Sequence, residues 1–249
     1  KIDQKILLEA KQLGFSDHII AKITDSKEET IRQQRIKLNI KPSIKQIDTL
    51  AGEFPAQTNY LYTTYHANSH DIKPSSKKSN IILGSGPYCI GSSVEFDWCA
   101  VNTAKTMRAL KQQTIIINSN PETVSTDYDI SDRLYFEELT QERVRDIAEF
   151  EKPKGIVVSV GGQIANNLAL PLFKNGFNIL GTSPLDIDRA ENRKIFSNLL
   201  NSLKIDQPVW TEADSIKNAK KFAYKVGYPI LVRPSYVLSG SAMNVITNE

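Results

Sequence analysis

Four short aliphatic runs constrain this chain more than any other feature: Ile81-Ile82-Leu83, Thr114-Ile115-Ile116-Ile117, Ile156-Val157-Val158 and Asn178-Ile179-Leu180. Each is too short for a helix, and strands that lack polar alternation are those buried on both faces of a sheet. Between the runs lie segments of helical periodicity, over about 94–111, 140–150 and 163–174. Strand and helix therefore alternate, which predicts a parallel α/β sheet covered on both sides. In such sheets ligands bind beyond the carboxyl ends of the strands, so the loops leaving the runs are the first places to look for chemistry.

Two loops stand out. The polar stretch 118–129, Asn-Ser-Asn-Pro-Glu-Thr-Val-Ser-Thr-Asp-Tyr-Asp, follows the second run and carries Glu122. The first run is followed by Gly84-Ser85-Gly86-Pro87-Tyr88-Cys89-Ile90-Gly91 and then by a helix start, the context of a phosphate or dinucleotide loop. Its spacing does not fit a dinucleotide fingerprint: the third glycine is misplaced, and the second strand ends in Asn118 and Asn120 rather than an acid. Gly84 and Gly86 equally suit a tight turn with close helix packing. Next comes Ser92-Ser93-Val94-Glu95-Phe96-Asp97-Trp98, with two carboxylates in the first helical turn. They suit the helix dipole, and in a parallel sheet Glu95 would also converge with Glu122 at one edge.

The flanks differ in texture. Residues 1 to about 70 read as helical, with Ile6, Leu7, Ala10 and Leu13 at helical spacing, Gly14 as a stop and Ser16-Asp17 as an N-cap. Ile44, Ile47, Leu50 and Ala51 continue that spacing, and the aromatic-rich segment 59–65 reads as a strand or as irregular packing. Lys73-Pro74-Ser75-Ser76-Lys77-Lys78-Ser79 has the composition of a linker. A third region begins near Ile187, with helices expected over about 191–203 and 214–226, a strand over 229–233 and a strand-like stretch over 243–247. The chain starts inside a helical pattern and ends just after that stretch, as an excised piece of something longer would.

Composition excludes several classes. Lys and Arg total 31 against 28 Asp and Glu, spread along the length without a basic stripe, which argues against nucleic acid. No apolar run approaches the ~18 residues of a membrane span. Cys89 and Cys99 have neither metal-ligand nor disulfide-framework spacing, which points to a reducing compartment, the cytoplasm, with the mitochondrion as the alternative. His18, His66 and His70 lack a second ligand at metal spacing. Asp127, Asp129 and Asp132 read as turn formers or, by density, as a cation site.

Taken together, the motifs resemble a known family. Gly84 to Trp98 with its Ile-Gly-Ser-Ser-Val-Glu-Phe-Asp-Trp, Asn120-Pro-Glu-Thr-Val-Ser-Thr-Asp127, Asp132-Arg-Leu-Tyr-Phe136, Gly161-Gly-Gln163, Gly181-Thr-Ser-Pro184, Asp188-Arg-Ala190 and Arg233-Pro-Ser-Tyr-Val-Leu-Ser-Gly240 are similar to the large chain of carbamoyl phosphate synthetase. Gly14-Phe-Ser-Asp17, Ile47-Asp-Thr49, Glu53-Phe54 and Thr63-Thr-Tyr65 extend the likeness over nearly the whole chain. Its wording at 92–98 and 238–243 looks closer to the eukaryotic form.

The resemblance implies an α/β fold made of an oligomerisation-type helical region (1–72), a linker (73–79), a Rossmann-like pre-ATP-grasp domain (80–186) and the start of an ATP-grasp domain (187–249). It places the piece at the start of the second half, which phosphorylates carbamate with ATP, with magnesium held by residues beyond position 249. The expected partners are the remainder of the same large chain, a glutaminase subunit or domain, and further copies in an oligomer, without nucleic acid or membrane. Arg193 and Arg233 match the family's two phosphate-contacting arginines, a role suited to planar donor forks. Ser239-Gly240-Ser241-Ala242 is a small-residue turn whose backbone N–H groups can approach phosphate, and Ser235 is a lesser candidate in the same segment. Without the resemblance, Arg193 reads as an exposed helix residue.

Glu95 and Glu122 match residues that wall an internal passage for carbamate, and the hydroxyls at 123, 125 and 126 are candidate donors to such carboxylates were they buried. Cys89 stands where the family usually has a basic residue. The piece alone is expected to be inactive. A biotin-dependent carboxylase would share the fold but lack the helical lead-in and the Asn-Pro-Glu-Thr loop, and a non-catalytic reading makes residues 1 to 70 an assembly module.

Overall fold

The computed structural model describes residues 2–75, 79–89, 92–234 and 242–249. The chain forms two compact units, residues 1–181 and 182–249. The first opens with three helices, α1 (Gln4–Gln12), α2 (Asp17–Ile23) and α3 (Glu28–Lys37). Their starts follow local chemistry: the Asp3 side chain accepts from the amides of Lys5 and Ile6, and the Ser16 hydroxyl accepts from Ile19. Leu7, Ile20, Ala21, Ile31, Ile40 and Tyr65 form a small core between them.

Two strands follow, the first where helical spacing was expected and the second within the segment read as strand or irregular packing. β1 (Ser43–Gln46) and β2 (Tyr60–Thr64) pair antiparallel, with Ser43 opposite Thr64 and Gln46 opposite Leu61. The spacing of Ile44 and Ile47 suits a helix, but Ile44 is buried by pairing with a segment about twenty residues away, a long-range gain that local periodicity does not contain. The aromatic-rich segment is a strand, with Leu61 and Thr63 turned inward.

The sheet continues through β3 (Ser79–Leu83), β4 (Gln113–Asn118), β5 (Arg133–Phe136), β6 (Gly155–Val157) and β7 (Ile179–Leu180), in the order β1-β2-β5-β4-β3-β6-β7. Every pairing beyond β1–β2 is parallel. Ile81, Ile82, Leu83, Ile115, Ile116 and Ile117 are wholly buried, as expected for central strands covered on both faces. The connecting helices are α4 (Val94–Ala109), α5 (Gln141–Glu151), α6 (Gly162–Asn166) and α7 (Ala169–Lys174). The single helix expected over 163–174 is broken in two, because Pro171 lacks the N–H that a continuous ladder would need from it.

Residues 76–78 of the expected linker lie outside the described residues, and the first 72 residues belong to the same compact unit as the sheet. β2 is hydrogen-bonded to β5, and a buried ion network joins α1–α3 to α5. Arg35 is fully buried; its Nε lies 2.7 Å from Asp17 and one terminal nitrogen 3.0 Å from both oxygens of Asp146. Lys11 reaches Glu142 at 2.6 Å and Asp17 at 3.1 Å, while Arg32 meets Asp146 at 2.8 Å. Helical lead-in and sheet thus share one interior.

The second unit contains α8 (Pro184–Glu191), α9 (Arg193–Ser202), α10 (Ile216–Val226) and an antiparallel pair, β8 (Ile230–Val232) with β9 (Asn244–Ile246). The helix expected over 191–203 starts later, since Asn192 leaves helical geometry and caps α9 by accepting from the Ile195 amide at 3.2 Å. Leu231 and Val232 are exposed in this chain. Among the described residues, no helix is long and apolar enough to cross a membrane.

Candidate functional site

Strand order reverses between β3 and β6: β3 connects onward to β4 on one side, and β6 to β7 on the other. A crevice at the carboxyl ends is expected at such a point. Here the loops after β3, β4 and β6 meet at close quarters. A Cβ on Gly161 would lie 2.4 Å from the carbonyl oxygen of Gly84, and one on Gly84 would lie 2.6 Å from Cγ of Asn118. Gly161 is therefore required by backbone approach and Gly84 by the Asn118 side chain, which the Gly-Gly-Gln and Gly-Ser-Gly motifs supply.

Asn118, wholly buried at the end of β4, ties the loops together. Its Oδ1 accepts from the Gly86 amide at 3.0 Å, and its Nδ2 donates to the hydroxyls of Thr123 and Ser125, each at 3.2 Å. The asparagine that counted against a dinucleotide site is thus an internal fastener. Beside it the Ser92 hydroxyl donates to the Ser85 carbonyl, while the Ser85 hydroxyl is buried with no partner among the described residues.

Asp97 is the positioning residue that sequence reasoning undervalued. Although in the first turn of α4, it is 3% exposed and accepts from the amides of Val124 at 2.9 Å and Ser125 at 3.2 Å. It clamps the 3-10 turn Val124–Thr126, and with it the loop carrying Glu122, onto the helix carrying Glu95. Only the density of acids in 95–97 hinted at this.

Glu95, in the first turn of α4 after β3, and Glu122, on the loop after the adjacent parallel strand β4, lie at one sheet edge, and both are exposed. The hydroxyls expected as donors to Glu122 are engaged elsewhere: Thr126 donates to the carbonyls of Thr123, Pro121 and Asn120, Thr123 donates to the Asn120 carbonyl at 3.0 Å, and the Ser125 hydroxyl, which accepts from Asn118, lies 3.2 Å from that of Thr123. The Glu122 amide instead donates to Asn120 Oδ1 at 3.0 Å. A hydrogen bond from Ser93, reinforced by its own backbone amide, holds the Glu95 carboxyl below the usual range. These two side chains can receive polar solutes at the edge without a desolvation cost of their own.

The remaining candidates are placed plainly. Cys89 is exposed, and its backbone pairs with Ser92 at 2.8 and 2.9 Å. His70 Nδ1 accepts the Ile44 amide at 2.9 Å and its ring packs on Phe150, while His18 lies 3.5 Å from Glu28 and His66 bonds the Gln12 carbonyl. Asp132 accepts from the Thr114 amide and hydroxyl. No group of three His, Cys, Asp or Glu placed to hold a metal occurs among the described residues. In the second unit Arg193, first residue of α9, donates to the Pro234 carbonyl, next to exposed Arg233. Ser235, Ser239 and Gly240 lie outside the described residues.

Comparison with known proteins follows this layout. Residues 1–39 match the carbamoyl-phosphate synthetase large chain oligomerisation domain, 76–189 the carbamoyl phosphate synthase preATP-grasp domain, and 192–249 the ATP binding domain of the same large chain. This chain belongs to the carbamoyl phosphate synthetase large-chain family. Within that family it is 57% identical over 244 residues to the mitochondrial arginine-specific large chain of Neurospora crassa, covering 98% of this chain and 21% of that protein. It is 54% identical over 246 residues to the mitochondrial ammonia-type synthase of Homo sapiens, covering 99% and 16%. The chain thus spans about a fifth or less of these synthetases. Among solved structures, the biotin carboxylase domain of Hydrogenobacter thermophilus 2-oxoglutarate carboxylase superposes with a TM-score of 0.51 at 17% identity, covering 70% of this chain and 38% of that one, a likeness of fold.

Proposed function

We propose that this chain is the entry to the second half of a carbamoyl phosphate synthetase large chain, which phosphorylates carbamate with ATP. The observation that carries the reading is the Arg193 hydrogen bond to the Pro234 carbonyl, which joins the start of α9 to the segment bearing Arg233. Two guanidinium groups on adjoining segments suit a polyphosphate, since each offers a planar fork of donors that neutralises and orients anionic oxygens. Bound there, ATP supplies the phosphoryl group, and the arginines offset negative charge that develops on the phosphate oxygens as a carbamate oxygen attacks. The magnesium ligands, the opposite wall of the nucleotide cleft and a glutaminase partner belong to the rest of the protein, so the chain by itself is inactive. Exposed Leu231 and Val232 are consistent with cover from those missing parts.

Glu95 and Glu122 belong, in this reading, to the wall of a passage that brings carbamate from the first half. Carbamate decomposes in water, and a sheltered polar route prevents that loss. Their shared sheet edge supports the assignment.

The test uses the complete protein. Arg193→Ala or Arg233→Ala should abolish ATP formation from carbamoyl phosphate and ADP while leaving bicarbonate-dependent ATP hydrolysis intact; equal loss of both overturns the nucleotide assignment. Glu122→Ala should leave each partial reaction running and lower overall synthesis. Partial reactions falling in step with synthesis would remove the passage.

A further inference from the structure

We propose that the amino edge of the sheet carries a binding site for a small phosphate-bearing anion. A cavity of about 620 Å³ opens there, between the end of α4, the first residues of β4 and β5, and Lys73-Pro74-Ser75. Its volume is that of an ordinary small-molecule site. Four cations, Lys73, Arg108, Lys111 and Arg133, line it against one carboxylate, Asp132.

The two arginines are held in place by the protein. Arg108 donates to the carbonyls of Asp129 and Ile130, and Arg133 pairs with Glu151 at 2.6 Å and donates to the Lys73 carbonyl at 3.0 Å. The lysines differ: neither Lys73 nor Lys111 has a side-chain hydrogen bond or ion-pair partner among the described residues. One oxygen of Asp132, Oδ2, accepts from the Thr114 amide and hydroxyl at 2.8 and 3.2 Å. The amides in the wall are oriented too. Gln112 Oε1 accepts from Asn80 at 2.7 Å and Gln113 Oε1 from the Ser75 hydroxyl, so each carboxamide oxygen is engaged by the protein and each NH2 is left as a donor.

The cavity therefore presents ammonium groups, amide donors and guanidinium edges, with both carboxamide oxygens and one oxygen of its single carboxylate already engaged. Even after Glu151 is set against Arg133, the positive charges exceed the negative ones by two. A phosphate dianion answers that surplus better than a monocarboxylate, and its oxygens accept from several donors at once. Helix-end electrostatics account for Arg108 and Lys111 at the end of α4. They do not account for Lys73 and Arg133, which come from other segments, or for the orientation of the two amides.

The experiment acetylates the complete protein with acetic anhydride and reads each lysine by mass spectrometry, with and without inorganic phosphate at ionic strength held constant by chloride. Phosphate should slow modification of Lys73 and Lys111 several-fold and saturably, leave exposed Lys5 and Lys27 unaffected, and protect Lys73 less in a Lys111→Gln variant. Glycerol phosphate separates the two sources of the group: protection at lower concentration than phosphate assigns the site to an organic phosphate, and equal protection assigns it to the free ion. Unchanged rates, protection that chloride reproduces, or full protection in Lys111→Gln overturns the proposal. So does failure of both lysines to react without phosphate, which would mean that the rest of the protein covers the cavity.

Discussion

Gly84 and Asn118 approach so closely that a methyl group on the glycine would sit 2.6 Å from the asparagine's Cγ. Asn118 cannot retreat, because both ends of its carboxamide are hydrogen-bonded. Gly84→Ala is therefore expected to destabilise the first unit by about 1–3 kcal/mol, the usual range for overpacking. Urea unfolding measures the loss, and faster hydrogen exchange at the Gly86 amide would locate it.

Asp97 supports the neighbouring loop. Asp97→Ala leaves the buried Ser125 amide and the Val124 amide without their acceptor, at a cost of about 1–3 kcal/mol. Hydrogen exchange at these two amides should accelerate, while exchange in β4 stays slow. Uniform acceleration across the sheet would show that Asp97 acts on global stability instead.

In the network between α3 and α5, the partners matter more than the pair. Arg35→Met keeps volume and apolar contact but leaves Asp17 with Lys11 and Asp146 with Arg32 as their remaining cations, and the lost charged hydrogen bonds should cost about 1–3 kcal/mol in chemical denaturation.

A neighbouring surface pair gives a pH dependence. Arg145 lies 2.7 Å from Glu29, and its hydrogen bond is the main cause that holds the Glu29 carboxyl below the ordinary value. A carboxyl with a depressed folded pKa contributes stability above its unfolded pKa of about 4.3 and loses it as pH falls through the folded value. Glu29 is 47% exposed, so the contribution is about 0.5 kcal/mol. Glu29→Gln should lower the Tm at pH 7, and the difference from the parent protein should vanish at acid pH. A difference that persists at acid pH would assign the effect to packing.

The central strands were legible because Ile81-Ile82-Leu83 and Ile115-Ile116-Ile117 are buried on both faces and need no partner-specific pattern. β5 was not read as a strand: Arg133 and Phe136 are only partly buried, and Arg133 is tolerated there through its pairing with Glu151 on α5, eighteen residues on. β1 was hidden for a related reason, since its burial depends on Tyr60–Thr64. At the site, sequence spacing placed Glu95 and Glu122 at one edge of the sheet, and the loops there were legible. Asp97 was overlooked because a carboxylate in a first helical turn has a sufficient local explanation, and its partners are 27 and 28 residues away.

The pairing of β2 with β5 has a consequence for how this chain can be divided. Asn59 accepts the Leu134 amide at 2.9 Å, and Tyr60 and Leu61 lie opposite Leu134 and Tyr135. Removing the first seventy-odd residues would leave β5 as a bare, flat border with an unanswered row of amides, the kind of surface on which strands of other molecules assemble. The helical lead-in and its hairpin therefore act as a guard rail for the sheet, and a shortened chain that begins at β3 should precipitate before it reveals anything about catalysis.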